Sequence, residues 1–413
     1  MSRLKFGVFL APHHPIGDHP TLQIRADIEL AEHLDRLGYD EFWVGEHHSG
    51  GWETIGHPEL FLAAAGERTS RIRLGTGVVS LPYHHPFNVA GRITQLDHLT
   101  RGRAMLGVGP GALPSDAHTL GIEPATQRDR MDEATGVIQR LLRGETVTHK
   151  SDWFELNEAR LQILPLQEDL PMCSASSLSP AGMKVAGKYG IGVISVASNS
   201  VEGLNALPTQ WGFGETYARE SGKTIDRANW RVLSQWHIAP TKEQAISEVA
   251  EGLKRWHNEY NVDILGRPNA NHTEDGEAMA RAMDRSGAAM FCTPDEAVEK
   301  IAHLQEVSGG FGTLLGFAHD WAAREHCLRS YDLFARNVIP RVQGLLNPVQ
   351  GSADFVGEHK QELMHAAGQA ILSAIRTHNA AYPRQQKAEG LDGGVVSAAA
   401  ASARDRVPGV PAK

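Results

Sequence analysis

Short apolar runs alternate with longer amphipathic segments along most of this 413-residue chain, and no other feature of the sequence restricts the fold as strongly. Such alternation is typical of β-α units that build a parallel sheet. The predicted strands are residues 4–10, 41–45, 72–79, 104–108, 171–174, 192–196, 230–238 and 313–317. The predicted helices are one that opens at Thr21 and ends before Gly38, then 58–69, 87–99, 128–142, 179–189, 201–221, 242–260 and 294–307.

This series of strands and helices predicts an α/β fold, a closed (β/α)8 TIM barrel. An open doubly wound sheet is the competing architecture, but such sheets usually have about five to seven strands. In a TIM barrel the carboxyl ends of all the strands form one mouth, where the active site lies. Functional residues are therefore expected in the loops that follow the strands.

Two parts of the chain depart from the alternation. Residues 261–287 are polar, contain glycine and are far longer than a usual βα loop, which predicts a mobile lid insertion or a disordered excursion. Residues 348–387 have helical spacing and predict one appended helix, whereas 388–413 are rich in Ala, Gly, Ser and Pro and predict a disordered tail. Residues 1–347 are then the catalytic barrel domain.

Charge and cysteine content exclude several classes of function. A formal net charge of −9 with interspersed charges provides no basic surface for nucleic acid. The three cysteines are far apart, so they predict neither a disulfide framework nor a CxxC metal site. The amino-terminal apolar run is too short for a signal peptide, and no apolar run is long enough to span a membrane. The chain is expected to be cytoplasmic, without a nucleic-acid or membrane partner.

Histidines occur in pairs after the first three predicted strands: His13-His14, His47-His48 and His84-His85. Since strand ends converge in a barrel, these pairs are candidates for one shared pocket, although each pair by itself is equally well explained as ordinary half-exposed histidine. Adjacent residues of an extended chain point to opposite sides, and HxH or HExxH spacing is missing at the strand ends. No metal site is therefore predicted.

An acid and an imidazole stand together in WVGEHH, where Glu46 can orient His47 for general acid or base catalysis near neutral pH. The loop Gly107-Val-Gly-Pro-Gly111 can bring its backbone close to a planar ring or an anion. It lacks the GxGxxG spacing and the βαβ context of a dinucleotide site, so a Rossmann interpretation is weak. A plain loop that needs positive φ angles is the alternative.

An anion site is suggested by two further features. Arg128 and Arg130 open the helix after the glycine loop, and a serine-rich run over 174–179 leads into the next helix amino terminus. Free N–H groups at a helix amino terminus favour an anion, and an arginine fork matches phosphate oxygens. A mononucleotide cofactor would use all of these groups, but each is also explained as a helix cap or a solvated charge.

Five segments together resemble the luciferase-like flavin monooxygenases: KFGVFL, GYDEFWVGEHH, RIRLGTGVVSLPYHHP, LDHLTRGRAMLGVGPG and SPAGMKVAGKYG. The likeness extends in order over residues 4–345. Within the family, the chain is most similar to the limonene monooxygenase-like and luciferase α-chain-like subgroups.

The resemblance implies a reduced flavin, usually FMN, that reacts with O₂ to a C4a-(hydro)peroxide and oxygenates a small, uncharged organic substrate. It also implies a separate NAD(P)H-dependent flavin reductase and a homodimer. An F420-dependent oxidoreductase that transfers hydride on the same barrel is the main alternative. A metal-dependent hydrolase or a flavin-binding protein without turnover is a weaker one.

By motif position, His47 matches the catalytic imidazole of the family, with Glu46 and His48 beside it. His237 resembles a histidine that sulfonate-oxidising relatives carry on the seventh strand. Gln235 stands where those relatives have arginine, which argues against an anionic substrate.

The family also bends under the flavin ring through a non-prolyl cis peptide, which the resemblance places at Gly77–Val78. Gly109 takes the position of the luciferase cysteine near the flavin, so light emission is not implied, and Gly111 lies in the same loop. Phosphate ligands of the family correspond to two residues with a glycine nearby: Arg128, Ser179 and Gly182.

Apolar and aromatic residues near the strand ends are candidates for the wall of a substrate pocket. They are Phe9, Trp43, Trp52, Phe317 and Trp321. The alternative for most of them is ordinary barrel core.

Overall fold

The structure, a computed structural model, describes residues 3–177, 179–268 and 270–382. The chain divides into two units between Gly344 and Leu345. Its strands are β1 Lys5–Leu10, β2 Glu41–Val44, β3 Arg73–Ser80, β4 Ala104–Gly109, β5 Val147–Lys150, β6 Glu155–Ala159, β7 Met172–Ser176, β8 Gly192–Ser195, β9 Trp230–Ile238, β10 Ala289–Cys292 and β11 Thr313–Phe317.

The helices of the described residues follow the strands around the barrel. They are α1 Pro20–Leu37, α2 Pro58–Arg68, α3 Pro86–Leu99, α4 Pro114–Thr119, α5 Gln127–Leu142, α6 Ala181–Tyr189, α7 Val201–Glu220, α8 Lys242–Arg255, α9 Gly276–Ser286, α10 Pro294–Ser308, α11 Arg324–Leu333, α12 Ile339–Val342 and α13 Asn347–Ala381. Two π-helical turns, Trp256–Ile264 and Phe334–Val338, continue α8 and α11.

Eight parallel strands close the barrel. The order of neighbours is β1, β2, β3, β4, β7, β8, β9 and β11, and β11 pairs again with β1. The predicted (β/α)8 barrel is therefore confirmed. Because every strand runs in the same direction, their carboxyl ends meet at one mouth.

Three short strands were not apparent from the sequence. β10 runs parallel to the second half of β9, with Ala289 opposite Gln235. β5 and β6 form an antiparallel hairpin between α5 and β7. The hairpin strands are mostly polar and lack the apolar run on which the prediction of strands depended. β10 is apolar but has only four residues and was not separated from the polar segment before it.

Strand residues are buried on both sides of the sheet. In β1, Phe6, Val8 and Leu10 pack outward against the helices, whereas Phe9 points into the barrel. Burial on both faces is why the strands are nearly continuous apolar runs instead of alternating ones.

An ion pair crosses the barrel interior at the end opposite the mouth. Arg231 of β9 donates from Nε to Glu41 Oε2 at 2.7 Å and from Nη2 to Oε1 at 2.9 Å. Trp43 also donates from Nε1 to Glu41 at 2.9 Å, and the guanidinium carbon lies 5.0 Å from the Trp43 ring centroid. Burial opposes ionisation of Glu41, but Arg231 outweighs it and lowers the pKa of this carboxyl.

The indole of Trp43 is accommodated by a glycine. A Cβ on Gly75 would collide with the Trp43 ring, so a larger residue there would displace the indole from Glu41. The packing at the floor of the barrel thus depends on the Arg231–Glu41 ion pair, on the Trp43 indole and on the lack of a side chain at Gly75.

The predicted lid segment contains more regular structure than its composition indicates. Residues 276–286 form α9, where Ala280 is fully buried and Asp284 binds Lys242 at 2.7 Å and Lys300 at 2.8 Å. Among the described residues of the segment, 265–268, 270–275 and Gly287 lie outside a helix. A lid function of this segment stays a prediction, narrowed to the residues between the π-helical turn and α9.

The second unit contains α13, a helix of 35 residues in which no side chain is buried. It corresponds to the helix predicted for 348–387, while the predicted tail over 388–413 lies outside the described residues. None of the described helices combines the length and apolar character needed to cross a membrane.

Replacing Arg231 by methionine is expected to lower the free energy of unfolding by about 3–5 kcal/mol, because Glu41 would remain buried without its cation. Equilibrium urea unfolding followed by tryptophan fluorescence measures this change. The double variant Arg231→Met/Glu41→Leu removes the stranded charge and is expected to recover at least half of the loss. Equal losses in the single and double variants would contradict a role for the charge pair.

Candidate active site at the mouth of the barrel

Four of the six paired histidines converge on two buried carboxylates at the mouth, Glu46 and Glu53. His48 and His84 contact Glu46, whereas His13 and His47 contact Glu53. The other two have separate roles. His14 is held between Asp27 at 2.9 Å and Asp320, and the His85 side chain accepts the Phe87 N–H at the start of α3. Glu46 thus holds His48 and His84 together, and Glu53 holds His13 and His47 together.

Glu46 orders the loops that follow β2 and β3. Its Oε1 accepts hydrogen bonds from Nε2 of His48 and of His84, each at 2.9 Å, and its Oε2 accepts the Ser80 N–H at 3.0 Å. Burial opposes ionisation, but these donors outweigh it and lower the pKa of Glu46 to about 2. Glu46 is therefore a fixed anion that holds its neighbours in place.

These same three side chains have ligand atoms within 4.8 Å of one another, the only such group found among the described residues. Each imidazole Nε2 lies 2.9 Å from the same Glu46 oxygen, so the three side chains are satisfied by hydrogen bonds among themselves. The expectation of no metal site stays a prediction.

His47 lies between two acidic side chains. Its Nδ1 is 3.0 Å from Asp116 Oδ2, and its Nε2 is 3.2 Å from Glu53 Oε2. Burial disfavours the imidazolium, but Glu53 and Asp116 outweigh burial and raise the pKa of His47. The two carboxylates thereby favour the protonated ring and fix its orientation, as a general acid requires.

Three residues of this network were not identified from the sequence: Glu53, Asp116 and Tyr260. Glu53 also binds His13 Nε2 at 3.1 Å and accepts the Tyr260 hydroxyl. Burial opposes its ionisation, but His13 and His47 outweigh it and lower the pKa of Glu53 to about 2. Only the structure marks Tyr260 as a candidate functional residue, because it lies in a π-helical turn. Such turns are common at functional sites.

The non-prolyl cis peptide predicted at Gly77–Val78 is confirmed. A Cβ on Gly77 would press against Phe9 and Trp43, and a Cβ on Gly109 would collide with Val78. Gly109 therefore lets β4 approach β3 beside the mouth, whereas Gly77 makes room for Phe9 and Trp43. Whether a flavin ring rests on this surface stays a prediction.

The glycine loop after β4 is closed by side chains. Gly111 has a φ of +89°, and a Cβ there would collide with the Tyr83 hydroxyl. Gln127 donates from Nε2 to Pro110 O at 2.8 Å and to the Tyr83 hydroxyl at 3.0 Å. The positive φ of Gly111 and the contacts of Tyr83 and Gln127 together hold this loop in one conformation.

The predicted phosphate ligands lie at the start of α5 and α6. Asp132 of α5 binds Lys188 of α6 at 2.9 Å, and Arg128 is one turn before Asp132 on the same face. Since α5 and α6 run in the same direction from the mouth, Arg128 lies about one turn nearer to the mouth than the Asp132–Lys188 pair. Arg128 is exposed and forms no ion pair within the described ranges.

Gly182 packs the first turn of α6 onto β7, because a Cβ there would collide with the Ala175 carbonyl. Ser176, the last residue of β7, is fully buried and its hydroxyl has no hydrogen-bond partner. The helix start is thus close to a polar group that lacks a partner.

His237 is not brought to this cluster. It is fully buried, its Nε2 is 2.8 Å from Glu248 of α8, and burial lowers its pKa despite that carboxylate. Its ring lies 5.7 Å from that of His319. A catalytic role for His237 stays a prediction, and its present contacts favour a positioning role.

The predicted pocket wall divides into two levels. Phe9, Trp52, Phe317 and Trp321 are buried near the strand ends, whereas Trp43 belongs to the floor of the barrel. The first four are therefore available to a substrate at the mouth.

The variant Glu46→Gln tests the first carboxylate cluster. Because the pKa of Glu46 is lowered to about 2, its contribution to stability is present above about pH 4.5 and is lost as the pH falls towards 2. At pH 7 the variant is expected to lose about 2 kcal/mol of unfolding free energy, and this difference should shrink between pH 5 and pH 3.

Urea unfolding at several pH values measures this effect. The exposed Glu155, which binds Lys150 at 2.9 Å, provides the control: Glu155→Gln is expected to cost less than about 0.5 kcal/mol at any pH. A constant difference between wild type and Glu46→Gln over this range would show that Glu46 is not an anion held by its neighbours.

Comparison with known proteins identifies relatives along the whole barrel. A family model described as luciferase-like monooxygenase matches residues 4–309. The chain is 50% identical over 372 residues to 4-hydroxyprotoasukamycin monooxygenase of Streptomyces nodosus subsp. asukaensis, covering 89% of this chain and 100% of that one. It is 46% identical over 347 residues to limonene 1,2-monooxygenase of Rhodococcus erythropolis, covering 84% and 89%.

Solved structures share the fold. The oxygenating constituent of 3,6-diketocamphane monooxygenase from Pseudomonas putida, a type II Baeyer-Villiger enzyme in complex with FMN, superposes with a TM-score of 0.68 at 25% identity, covering 82% of this chain and 98% of that one. An F420-dependent secondary alcohol dehydrogenase superposes with a TM-score of 0.60 at 21% identity, covering 81% and 98%. The second likeness concerns the fold alone.

Proposed function

The chain belongs to the family of luciferase-like monooxygenases, and from this premise we propose that it uses reduced FMN and O₂ to oxygenate a small, uncharged organic substrate at the mouth of its barrel. The resemblance of the sequence motifs to this family is thereby confirmed. The chain is accordingly an oxidoreductase that incorporates oxygen, and FMN as the flavin is the proposal.

The observation that carries the proposal is the position of His47. This imidazole lies at the mouth, is held from both sides by Asp116 and Glu53, and is favoured in its protonated form by their charge. Reduced flavin supplies two electrons when bound, so that one oxygen atom enters the substrate and the other leaves as water. The departing oxygen must gain protons, and His47 is the group built to donate one.

The residues at the start of α5 and α6 fit a flavin phosphate. Arg128 presents a guanidinium without an ion-pair partner among residues 3–177, 179–268 and 270–382, and the first turn of α6 offers N–H groups. The buried Ser176 hydroxyl beside this turn lacks a partner. Arg128, Ser179 and the backbone near Gly182 would then hold the phosphate.

The residues between that end and His47 fit a flat ring. Gly109 allows β4 to approach Val78 of β3, and Gly77 leaves room beside Phe9 and Trp43. Since Gln127 and Tyr83 fix the neighbouring glycine loop, the surface is formed before a ligand arrives. Preorganisation of this kind lowers the cost of binding.

Water must be kept from the reacting oxygen. Tyr260 and Trp52 are almost completely buried beside Glu53, and the Tyr260 hydroxyl binds this carboxylate. The π-helical turn thereby covers one side of the mouth. Residues 265–275 continue from this turn, so we propose that they act with it as a lid.

Turnover with reduced FMN and labelled oxygen tests the function directly. With a panel of small cyclic terpenes and ketones that includes limonene and carvone, the wild type is expected to form a product carrying one oxygen atom from ¹⁸O₂, detected by mass spectrometry. His47→Gln is expected to lower product formation about 100-fold or more, because the proton donor is lost. Its affinity for reduced FMN should change less than about twofold.

His303 of the outer helix α10 is exposed, and His303→Gln serves as the control with unchanged turnover. Unlabelled products throughout the panel would contradict a monooxygenase. Full activity of the His47 variant would contradict the role assigned to this imidazole.

The phosphate site is tested by anaerobic titration of reduced FMN. Arg128→Ala is expected to raise the Kd for reduced FMN about tenfold, since a charged hydrogen bond is lost, while the Kd for riboflavin, which has no phosphate, stays the same. Arg143, exposed at the other end of α5, provides the control variant Arg143→Ala. An equal effect of Arg128→Ala on both flavins would rule out phosphate recognition.

The same titration with F420 decides the alternative cofactor. Tight binding of F420 without binding of reduced FMN would contradict the proposed oxygen insertion and favour hydride transfer. The proposal expects the reverse result.

Further proposals rest on the sequence resemblance. They are a separate NAD(P)H-dependent flavin reductase, a homodimer, a cytoplasmic location, and a catalytic domain over 1–347. The name of the 3,6-diketocamphane relative, an oxygenating constituent, supports the separate reductase.

A further inference from the structure

Three side-chain nitrogens at the mouth are buried without a hydrogen-bond partner. They are Nδ1 of His13, Nε1 of Trp52 and Nε1 of Trp256. The His13 and Trp52 side chains are only 8% and 2% exposed, so solvent does not replace the missing partners. An indole nitrogen can only donate, and a buried donor left unpaired is destabilising.

These nitrogens belong to one cluster of aromatic rings. The His13 ring centroid lies 4.8 Å from that of Tyr260 and 5.9 Å from that of Trp256, and Trp52 lies 5.6 Å from Tyr260. Phe317, 5.4 Å from His13, completes the wall. These rings therefore lie together around Tyr260, although they come from the loops after β1 and β2 and from the π-helical turn.

The cluster adjoins the candidate acid. Glu53 binds His13 Nε2 through one oxygen and His47 Nε2 through the other. A molecule placed against the aromatic wall would consequently be one carboxylate away from His47. The other nitrogen of His13 is already used by Glu53, which leaves its Nδ1 for a ligand.

We propose that the indole N–H groups of Trp52 and Trp256 recognise a hydrogen-bond-accepting oxygen on the substrate, so that the enzyme acts on a ring-shaped, mainly apolar molecule that already carries a carbonyl or hydroxyl group. This inference rests on the proposed function and specifies its substrate class. The aromatic rings contact the apolar skeleton, and the indole N–H groups select the oxygen.

The physical argument is one of discrimination. An apolar pocket distinguishes two ligands of similar shape only weakly, whereas buried donors that remain unpaired penalise a ligand without an acceptor. A hydrocarbon would leave the indole donors unsatisfied, while an oxygenated analogue of the same skeleton would pair with them. The preference therefore depends on the N–H groups and not on the size of the rings.

Limonene and carvone are a suitable pair of probes, because they share one skeleton and carvone adds a carbonyl. Isothermal titration with the full-length protein is expected to show that carvone binds about fivefold tighter than limonene or better. Trp256→Phe and Trp52→Phe each keep a flat ring but remove the N–H. Each is expected to weaken carvone binding about five- to tenfold and to change limonene binding less than about twofold.

Trp153→Phe provides the control, because Trp153 lies in the hairpin region and donates its indole N–H to Glu133 at 2.6 Å. It should leave the affinity for both probes unchanged. Equal weakening of both probes by Trp256→Phe and Trp52→Phe would show that these indoles only pack, and equal affinity of the wild type for both probes would also overturn the inference. Neither result depends on turnover, so failure of oxygenation with reduced FMN is distinguished from failure of this recognition.

Discussion

The packing of the barrel interior depends on the ion pair between Arg231 and Glu41. It joins β9 to β2 across the interior, and Glu41 also accepts the indole N–H of Trp43. The Trp43 ring then fills the space that Gly75 and Gly77 leave open, next to the cis peptide. Trp43 therefore connects the packing at the floor of the barrel with the packing near the mouth. A buried pair of this kind is weak evidence for added stability, but removal of one partner is costly, so its effect is to specify one arrangement.

At the mouth, buried carboxylates also hold separate parts of the chain together, but their partners are histidines instead of an arginine. Glu46 joins the loops after β2 and β3, while Glu53 joins the loops after β1 and β2 to the π-helical turn. Asp116, from the loop after β4, reaches His47 from the other side. Because each carboxylate is shared by two imidazoles or by one imidazole and backbone donors, none can be removed without disturbing a second loop. The acid function of His47 thus depends on the relative position of four loops, which the closed barrel provides.

The sequence predicts those parts of the molecule that have a periodic or a motif signal. The eight barrel strands, the cis peptide and the EHH group were identified in this way. Glu53 and Asp116 were not, because a single acid in a loop has no periodicity and its partner is known only once the chain is folded. The paired histidines show the same limit: the sequence cannot tell that His13 turns inward to Glu53 whereas His14 turns to Asp27. The helix α9 is a different case: the Asp275 cap, the Ala- and Met-rich spacing and Gly287 after its end are local helix signals that were overlooked when 261–287 was interpreted as one polar insertion.

The proposed lid, the proposed acid and the proposed recognition of substrate are linked through one carboxylate, Glu53. Tyr260 donates its hydroxyl to the Glu53 oxygen that also binds His13, and the second oxygen binds His47. Any movement of the π-helical turn that withdraws this hydroxyl leaves the two imidazoles as the remaining side-chain donors to Glu53, which strengthens its attraction for their protons. A closed turn has the opposite effect, because the hydroxyl takes part of the negative charge and makes the proton of His47 easier to donate. Closure over a substrate therefore both excludes water and prepares the acid, without a further residue.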